Sequence, residues 1–166
     1  MAIEGDGFFQ EDDNGSTYYT RAGNFRINKD GYLCNSDGLK IIPEISIPQE
    51  TVTFTVDKGG TWTAADQAGE TLATGRIELA KFINPAGLTS LGRNLYDKTE
   101  GSGEPVTGNP GDDGMGTITQ NYLEMSNVSV IEEMIKMIVG QRAYEINSKA
   151  IQTADGMLQI ISNLKR

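Results

Sequence analysis

The side chains that most often perform catalysis or bind metal ions are scarce in this sequence. It contains no histidine and one cysteine, Cys34, so it offers no Ser-His-Asp triad, no internal disulfide bond and no cysteine-rich metal cluster. Paired carboxylates remain at Asp12–Asp13 and Asp112–Asp113. Glycosidases use two carboxylates, but both pairs lie in hydrophilic loop sequence and nothing places them in a cleft. We therefore predict no catalytic residue and no enzymatic activity.

Motifs that bind phosphate or calcium are missing as well. No glycine-rich phosphate-binding motif opens a helix, and the "GDG" at Gly5–Gly7 precedes a strand, which indicates a turn. Asp112 and Asp113 do not fit a calcium loop, because the residues that follow do not match the D-x-[DN]-x-[DN]-G spacing. We expect no cofactor, no metal ion and no small-molecule substrate. Glycine, proline and acidic residues dominate segment 100–116, so we predict a flexible, solvated loop there.

Charge is distributed unevenly along the chain. The net charge is −9, with −10 in residues 1–126 and +1 in residues 127–166. A predominantly acidic protein lacks the clustered cations that nucleic acid requires, so we predict no nucleic-acid partner. No apolar run is long enough to span a bilayer, and acidic residues follow Met1 too closely for a cleavable signal peptide. Export of this chain would need another route.

A β-rich body is predicted over residues 1–125. Short runs of aromatic and β-branched residues alternate with turn signals at Asn14–Gly15, Asp30–Gly31 and Asp37–Gly38. Cys34 lies in one of these runs, and we expect a packed or half-exposed side chain without reactivity. Pro43 and Pro48 indicate an edge or a bend. The alternating run "TGRIELAKFIN" predicts another strand.

One long C-terminal helix is predicted from about Asn127 to Leu164, within a second region of residues 126–166. Ser129 followed by Glu132 fits a capping box. Apolar residues then recur three and four positions apart in two separate runs, Val128, Ile131, Ile135 and Ile138, and later Ile151, Ala154, Leu158 and Ile161. The predicted fold class is therefore α+β: a mainly-β body of short antiparallel strands and hairpins, followed by one long C-terminal α-helix.

The middle of this helix is polar. Between the apolar runs lie Gln141, Arg142, Glu145 and Asn147, with Tyr144 as a main apolar member. The two runs do not share one heptad register, so no single straight stripe follows the helix. Such a helix packs between subunits or against another helix, with its polar residues fixing the register. The alternative is a helix folded back on the sheet with its polar middle facing solvent.

A carbohydrate-binding β module is a rival interpretation from a different class. Trp62, Tyr18, Tyr19 and Tyr32 could form platforms on which sugar rings stack. Aromatic residues in strands more often belong to the core. A module of this kind would also have no evident need for the long helix.

Four motifs resemble bacterial flagellar axial proteins of the rod and hook type. "AIEGDGFFQ" and "YTRAGNFRINKDGYLCNSDGLKI" resemble the start of that family's β body, and "INPAGLTSLGRNLY" resembles a later part of it. "EMSNVSVIEEMIKMIVGQRAYEINSKAIQTADGMLQ" is similar to the family's C-terminal helix. The motifs occur in the family's order and cover most of the chain. The helix motif and the short body favour a distal rod member, and a proximal rod or a hook subunit of the same family is the alternative. The hook protein normally carries larger inserted domains.

The resemblance implies a structural subunit of the flagellar basal body, located in the rod that spans the periplasm. Its members stack helically into a hollow axle between motor and hook, so the implied partners are copies of itself and neighbouring rod and hook proteins. Terminal helices form the inner tube, and the body packs outside it. The resemblance and the spacing of apolar residues together suggest a set of assembly residues on the C-terminal helix. They are Val128, Ile131, Ile135, Ile138, Gln141, Arg142, Tyr144, Glu145, Asn147, Ile151, Leu158 and Ile161.

The sequence departs from the family's pattern at its beginning. The family normally has a helix well upstream of "GDGFF", whereas this sequence starts at "MAIEGDGFF". We therefore expect the sequence to be a shortened form of a longer protein. By resemblance, the upstream part carries the export signal and half of the inner-tube coiled coil, and export proceeds without a cleaved signal peptide.

Overall fold

The computed structural model describes residues 1–13 and 15–164, and the chain divides into two compact units, Met1–Glu124 and Met125–Arg166. The first unit, hereafter the body, consists of short strands joined by turns. The second contains one helix, α1 (Val130–Leu164). This composition confirms the predicted α+β class.

The described part of the body contains short strands, none longer than six residues. In chain order they are β1 (Ala2–Glu4), β2 (Phe9–Asp13), β3 (Ser16–Thr20), β4 (Arg26–Ile27), β5 (Leu33–Cys34), β6 (Lys40–Ile42), β7 (Thr53–Val56), β8 (Thr61–Ala65), β9 (Thr71–Arg76), β10 (Leu79–Lys81), β11 (Thr89–Gly92), β12 (Leu95–Asp97), β13 (Val106–Gly108) and β14 (Thr117–Thr119).

These strands pair antiparallel in four sheets. The largest has the order β11-β12-β3-β2-β6-β5-β4, and a second sheet has the order β7-β8-β9. Two further pairs, β1 with β14 and β10 with β13, join segments far apart in the sequence. In the first of these pairs Ala2 lies opposite Thr119, so the beginning and the end of the body are hydrogen-bonded to each other.

The turns predicted from Asp-Gly pairs are confirmed. Gly31 and Gly38 have φ angles of 84° and 91°, which favour glycine because it has no Cβ. In each turn an asparagine, Asn28 or Asn35, accepts hydrogen bonds through Oδ1 from the backbone N–H groups two and four positions later, at 2.8 to 3.0 Å. The β2–β3 hairpin also forms. Of its predicted turn pair, Asn14 lies outside the described residues.

One large apolar cluster forms the core of the body. Its members come from both larger sheets and from β1, β10 and β14, and they include Ile3, Phe9, Leu33, Ile41, Ile45, Ile47, Val56, Trp62, Ile77, Leu79, Met115 and Ile118. Trp62 lies across from Gly75 on β9, where a Cβ would come within 2.7 Å of the indole. Gly75 therefore makes room for the indole. Cys34 is buried, as the sequence predicts.

The run "TGRIELAKFIN" does not form one strand. β9 ends at Arg76 in the three-stranded sheet, and β10 begins at Leu79 and pairs with β13. Between them Ile77 is fully buried, and its backbone N–H donates to the Gly60 carbonyl at 2.8 Å. The alternation of apolar residues continues because both strands face the same core, but the chain changes sheet at Ile77.

The prediction of a solvated loop over 100–116 is wrong in part. β13 lies within this segment, Ser102 is fully buried and Met115 joins the core. The Ser102 hydroxyl donates to the Thr99 carbonyl at 2.9 Å, and its oxygen accepts from the Thr99 N–H at 2.9 Å. Glycine and proline shape the turns here, while a few well-placed side chains bury the segment.

Among the described residues, no helix is both long enough and apolar enough to traverse a lipid bilayer.

Candidate functional site

The start of α1 is defined by a serine cap. Ser129 immediately precedes the helix, and its Oγ accepts a hydrogen bond from the Glu132 N–H at 3.4 Å, which is the main-chain half of the predicted capping box. Glu132 and Glu133 then lie in the first turn, where negative charge interacts favourably with the helix dipole. Glu133 also pairs with Lys136 at 2.7 Å.

The helix begins later than the sequence indicates. It starts at Val130 rather than near Asn127, because a cap residue such as Ser129 has a non-helical backbone. Ahead of it, the Ser126 Oγ accepts a hydrogen bond from the Val128 N–H at 3.2 Å in a local turn. Val128, predicted as the first member of the apolar run, therefore lies outside the helix.

The apolar side chains of α1 are exposed. The helix runs for 35 residues without interruption, a length of about 52 Å, and none of its residues as far as Leu164 is buried. Isolated helices gain little stability from propensity alone and depend on packing of an apolar face. A helix this long with this many exposed aliphatic residues therefore has a packing surface available.

Two separate seams make up much of that surface. We call Ile131, Ile135 and Ile138 the N-terminal seam, and they are 71%, 54% and 51% exposed. We call Ile151, Ala154, Leu158 and Ile161 the C-terminal seam. At about 100° per residue, Leu158 lies about 180° around the axis from Ile131. Because the helix is continuous between them, the two seams lie on opposite sides. Met157, Ile160 and Leu164 are also exposed near the C-terminal end, and by the same rotation they lie on the side of Ile131 rather than on that of Leu158.

The polar middle of the helix lies in the same continuous element. Gln141, Arg142, Glu145 and Asn147 are exposed, and Tyr144 is 78% exposed. The structure therefore places all the predicted assembly residues except Val128 on α1, with the two seams at its two ends. Gly140 and Gly156 also lie on α1, and a Cβ at either position would meet no atom within 4 Å.

Arg21 makes a cluster of contacts in the body that the sequence motifs did not indicate. Its guanidinium donates to the carbonyl oxygens of Gly5 at 2.8 Å and Gly7 at 2.7 Å, and Nε donates to Glu124 Oε2 at 2.9 Å. The group also lies over the Phe8 ring, 5.9 Å from its centroid. Arg21 thereby ties the first residues of the body to its last. Its partners are distant in the sequence, so no local pattern could have revealed it.

Glu11 is a buried carboxyl group on β2, with 1% of its surface exposed. Removal from water raises its pKa to about 7, although a hydrogen bond from Asn35 Nδ2 to Oε2 at 2.6 Å acts in the opposite direction and Asp37 adds to the rise. Burial also raises the pKa of the neighbouring Cys34 thiol. A higher pKa lowers the thiolate fraction, consistent with an unreactive cysteine.

The carbohydrate-binding interpretation is not favoured by this arrangement. Trp62 and Tyr19 are buried, 7% and 3% exposed. Trp62 stacks on Phe54 with ring centroids 5.9 Å apart, and Tyr19 meets Phe82 edge to face at 4.7 Å. Both rings are therefore occupied within the body and are not available to stack on a sugar.

The chain combines a β-rich body with one long helix whose residues as far as Leu164 are not buried, and comparison with known proteins identifies the family. The model of the "Flagellar hook protein FlgE/F/G D1 domain" matches residues 2–64. The model of the "Flagellar basal body rod FlgEFG protein C-terminal" matches residues 119–164, which include α1. The chain belongs to this family of flagellar rod and hook proteins.

Individual relatives agree with this assignment. The flagellar basal-body rod protein FlgG of Borreliella burgdorferi is 49% identical over 170 residues, covering 100% of this chain and 64% of the relative. FlgG of Bacillus subtilis is 40% identical over 171 residues, covering 100% and 65%. The flagellar hook protein FlgE of Escherichia coli is 36% identical over 118 residues, covering 71% and 29%. The chain thus spans slightly less than two thirds of the rod relatives it matches.

Proposed function

We propose that this chain is a structural subunit of the bacterial flagellar rod, in its distal part, which polymerises helically into the hollow axle between motor and hook. The observation that carries this proposal is 40–49% identity to rod proteins over the whole chain. The hook match is less complete, so a hook subunit is less well supported. As a rod subunit, this chain would lie in the basal body. Its partners would be copies of itself and neighbouring rod and hook proteins.

The same proposal assigns roles to the two units. Residues 1–125 would form the outer body and residues 126–166 the inner-tube helix. The exposed residues of α1 support this division, because Ile131, Ile138 and Leu158 have surface available for a neighbouring helix. The polar residues between the seams would hold register, as buried polar groups do in coiled coils. We infer no catalytic role and no cofactor.

A chimera tests the proposal. In Bacillus subtilis, the part of the rod relative that this chain matches is replaced by this chain, and swimming and purified basal bodies are examined. We expect rods, hooks and swimming to be restored. A chimera that accumulates as a folded protein but builds no rod would contradict the proposed function.

Single substitutions on α1 sharpen this test. Ile138→Asp or Leu158→Asp in the chimera places a charge where an apolar contact is proposed, at a cost of several kcal/mol if that contact excludes water. We expect loss of rods with the β body still folded, as judged by circular dichroism. Gln152→Glu, on neither seam, is the control and should swim. Normal rods from either seam variant would refute the assignment.

A further inference from the structure

The body has a groove between the edges of its two larger sheets. Two adjoining cavities of about 450 Å³ and about 230 Å³ form it, and they share Ile27 on β4 and Phe54 on β7, each an outer strand of its sheet. Contiguous exposed apolar surface of this kind marks an interaction site. We call it the edge groove, and its apolar lining includes Phe25, Ile27, Val52, Phe54, Tyr122 and Leu123. All of these except Phe25 and Phe54 are more than half exposed.

The backbone of β4 directs hydrogen-bonding groups to the open edge of its sheet. Successive residues of an antiparallel strand point their N–H and C=O groups alternately to either side. The Asn28 N–H donates to the Tyr32 carbonyl on the β5 side at 2.8 Å. Leu33 lies opposite Ile27, but its N–H donates to the Ile45 carbonyl at 3.0 Å. The N–H and C=O of Ile27 therefore point away from β5.

The opposite wall of the edge groove is already closed. Gln120 Oε1 accepts a hydrogen bond from the Val56 N–H at 2.9 Å, and Gln120 Nε2 donates to the Phe54 carbonyl at 2.8 Å. This side-chain amide takes the place of a neighbouring strand along β7. An extended segment in the groove would therefore pair with β4. A helix satisfies its own backbone groups and could not use those of Ile27.

The charge of the edge groove is opposite in sign to that of the body. Arg26 and Lys29 line the groove, both are exposed, and neither forms an ion pair within the described part of the chain. The described residues that line it include no acidic side chain, although residues 1–126 carry −10. Neighbouring side chains of a strand point to opposite faces. Ile27 thus presents an apolar side chain on one face and Arg26 a cationic one on the other.

We propose that the edge groove binds an extended segment of a partner protein, which adds to β4 as a strand and alternates apolar with acidic side chains. The apolar side chains pack beside Ile27, and the carboxylates pair with Arg26 and Lys29. This contact attaches a second kind of protein to the body. It goes beyond the proposed role as a rod subunit and does not depend on it.

A peptide of defined sequence tests this proposal on the complete 166-residue chain. The probe is Thr-Val-Glu-Ile-Glu-Val-Thr, blocked at both ends, and its counterpart has lysine in place of both glutamates. In calorimetric titrations we expect the acidic peptide to bind about tenfold or more tightly than the lysine peptide, because the charge reversal replaces attraction by repulsion. Equal affinities, or no binding of the acidic peptide up to about 1 mM, would overturn the proposal.

Reversing the charge of the groove provides a matched comparison. The double variant Arg26→Glu with Lys29→Glu should prefer the lysine peptide. Lys58→Glu with Arg76→Glu changes the net charge equally at exposed positions that do not line the groove, and it should keep the preference of wild type. If both double variants lose that preference alike, long-range attraction rather than a site explains the binding, and the proposal is wrong. Circular dichroism reports whether each variant is folded.

Hydrogen exchange locates the contact. The Ile27 amide should exchange about tenfold or more slowly with the acidic peptide bound, because pairing removes it from water. A probe with N-methyl groups along its backbone should bind at least about tenfold more weakly, because it cannot donate to β4. Unchanged exchange at Ile27 under saturating peptide would place the peptide elsewhere and contradict the assignment.

Sedimentation velocity without peptide tests whether a second copy of this chain fills the groove instead. The two double variants have equal net charge, so we expect them to self-associate to the same extent. Self-association that is lost in Arg26→Glu with Lys29→Glu but kept in Lys58→Glu with Arg76→Glu would assign the edge groove to a second copy and overturn the proposal.

Discussion

Glu11 couples the stability of the body to pH. Its pKa is raised from 4.5 to about 7 because the carboxyl group is removed from water, so the folded state holds this proton more tightly than the unfolded state. The resulting stabilisation is present in full below the unfolded pKa and is lost as the pH rises through about 7. The whole effect is worth about 3 kcal/mol.

Substituting Glu11 by glutamine should remove this dependence. A neutral amide needs no proton, and its oxygen can still accept the hydrogen bond from Asn35. We measure the free energy of unfolding of Glu11→Gln and wild type in urea. As the pH rises from about 4 to about 8, we expect the difference between them to shift by about 2–3 kcal/mol in favour of Glu11→Gln. Glu78→Gln, which removes an exposed carboxylate from the body, is the matched control. Parallel pH profiles for wild type and Glu11→Gln would contradict the account.

Single residues differed in how far the sequence could predict them. Burial of Cys34 was predictable from its position in a strand, and the Gly31 and Gly38 turns from Asp-Gly pairs. The contacts of Arg21 and the burial of Glu11 were not. Both depend on partners brought together by strand pairing, such as Glu124 and Asn35, and an acidic residue in an alternating run normally indicates a solvent-facing side.

At the scale of elements, two glycines lower the stability of α1. Gly140 and Gly156 lie inside the helix with open space where a Cβ would be. Each glycine costs about 1 kcal/mol relative to alanine. Gly140→Ala should therefore raise the helix content and the thermal stability of α1 in the monomeric chain, measured by circular dichroism. Ala143→Gly, three positions along, should have the opposite effect. A loss of helix in Gly140→Ala would contradict this reasoning.

The helix was the most predictable element, and the strands were the least. Three-four spacing and the Ser129–Glu132 box located α1 to within three residues of its start. The strand order could not be derived, because β1–β14 and β10–β13 join residues that are far apart in the chain. The composition of segment 100–116 also gave a wrong prediction in part, because β13 pairs there with β10 and because Ser102 and Met115 are buried.

At the scale of the whole molecule, charge opposes association. Residues 1–126 carry −10, so associating copies bring together two strongly acidic bodies, which repel each other. Raising the salt concentration from about 20 mM to about 300 mM shortens the screening length to well below 10 Å. We expect self-association of the chain to strengthen with salt, measured by sedimentation velocity.

A variant with less negative charge provides the comparison for this prediction. Glu70→Gln combined with Glu78→Gln removes two exposed charges from the body and should weaken the salt dependence. Association that falls as salt is added would show that attraction between opposite charges, rather than the apolar seams, holds the copies together.

The pairing of β1 with β14 determines how the body responds to mechanical load. Because Ala2 lies opposite Thr119, both ends of the body leave this strand pair on the same side. A force that pulls the two ends apart breaks the hydrogen bonds between β1 and β14 one after another. Arg21 joins Gly5, which follows β1, to Glu124, which follows β14, through hydrogen bonds. These bonds add to the contacts that hold the two segments together. Because the hydrogen bonds of β1 and β14 are loaded one after another, this strand pair resists separation of the two ends less than strands loaded along their length would.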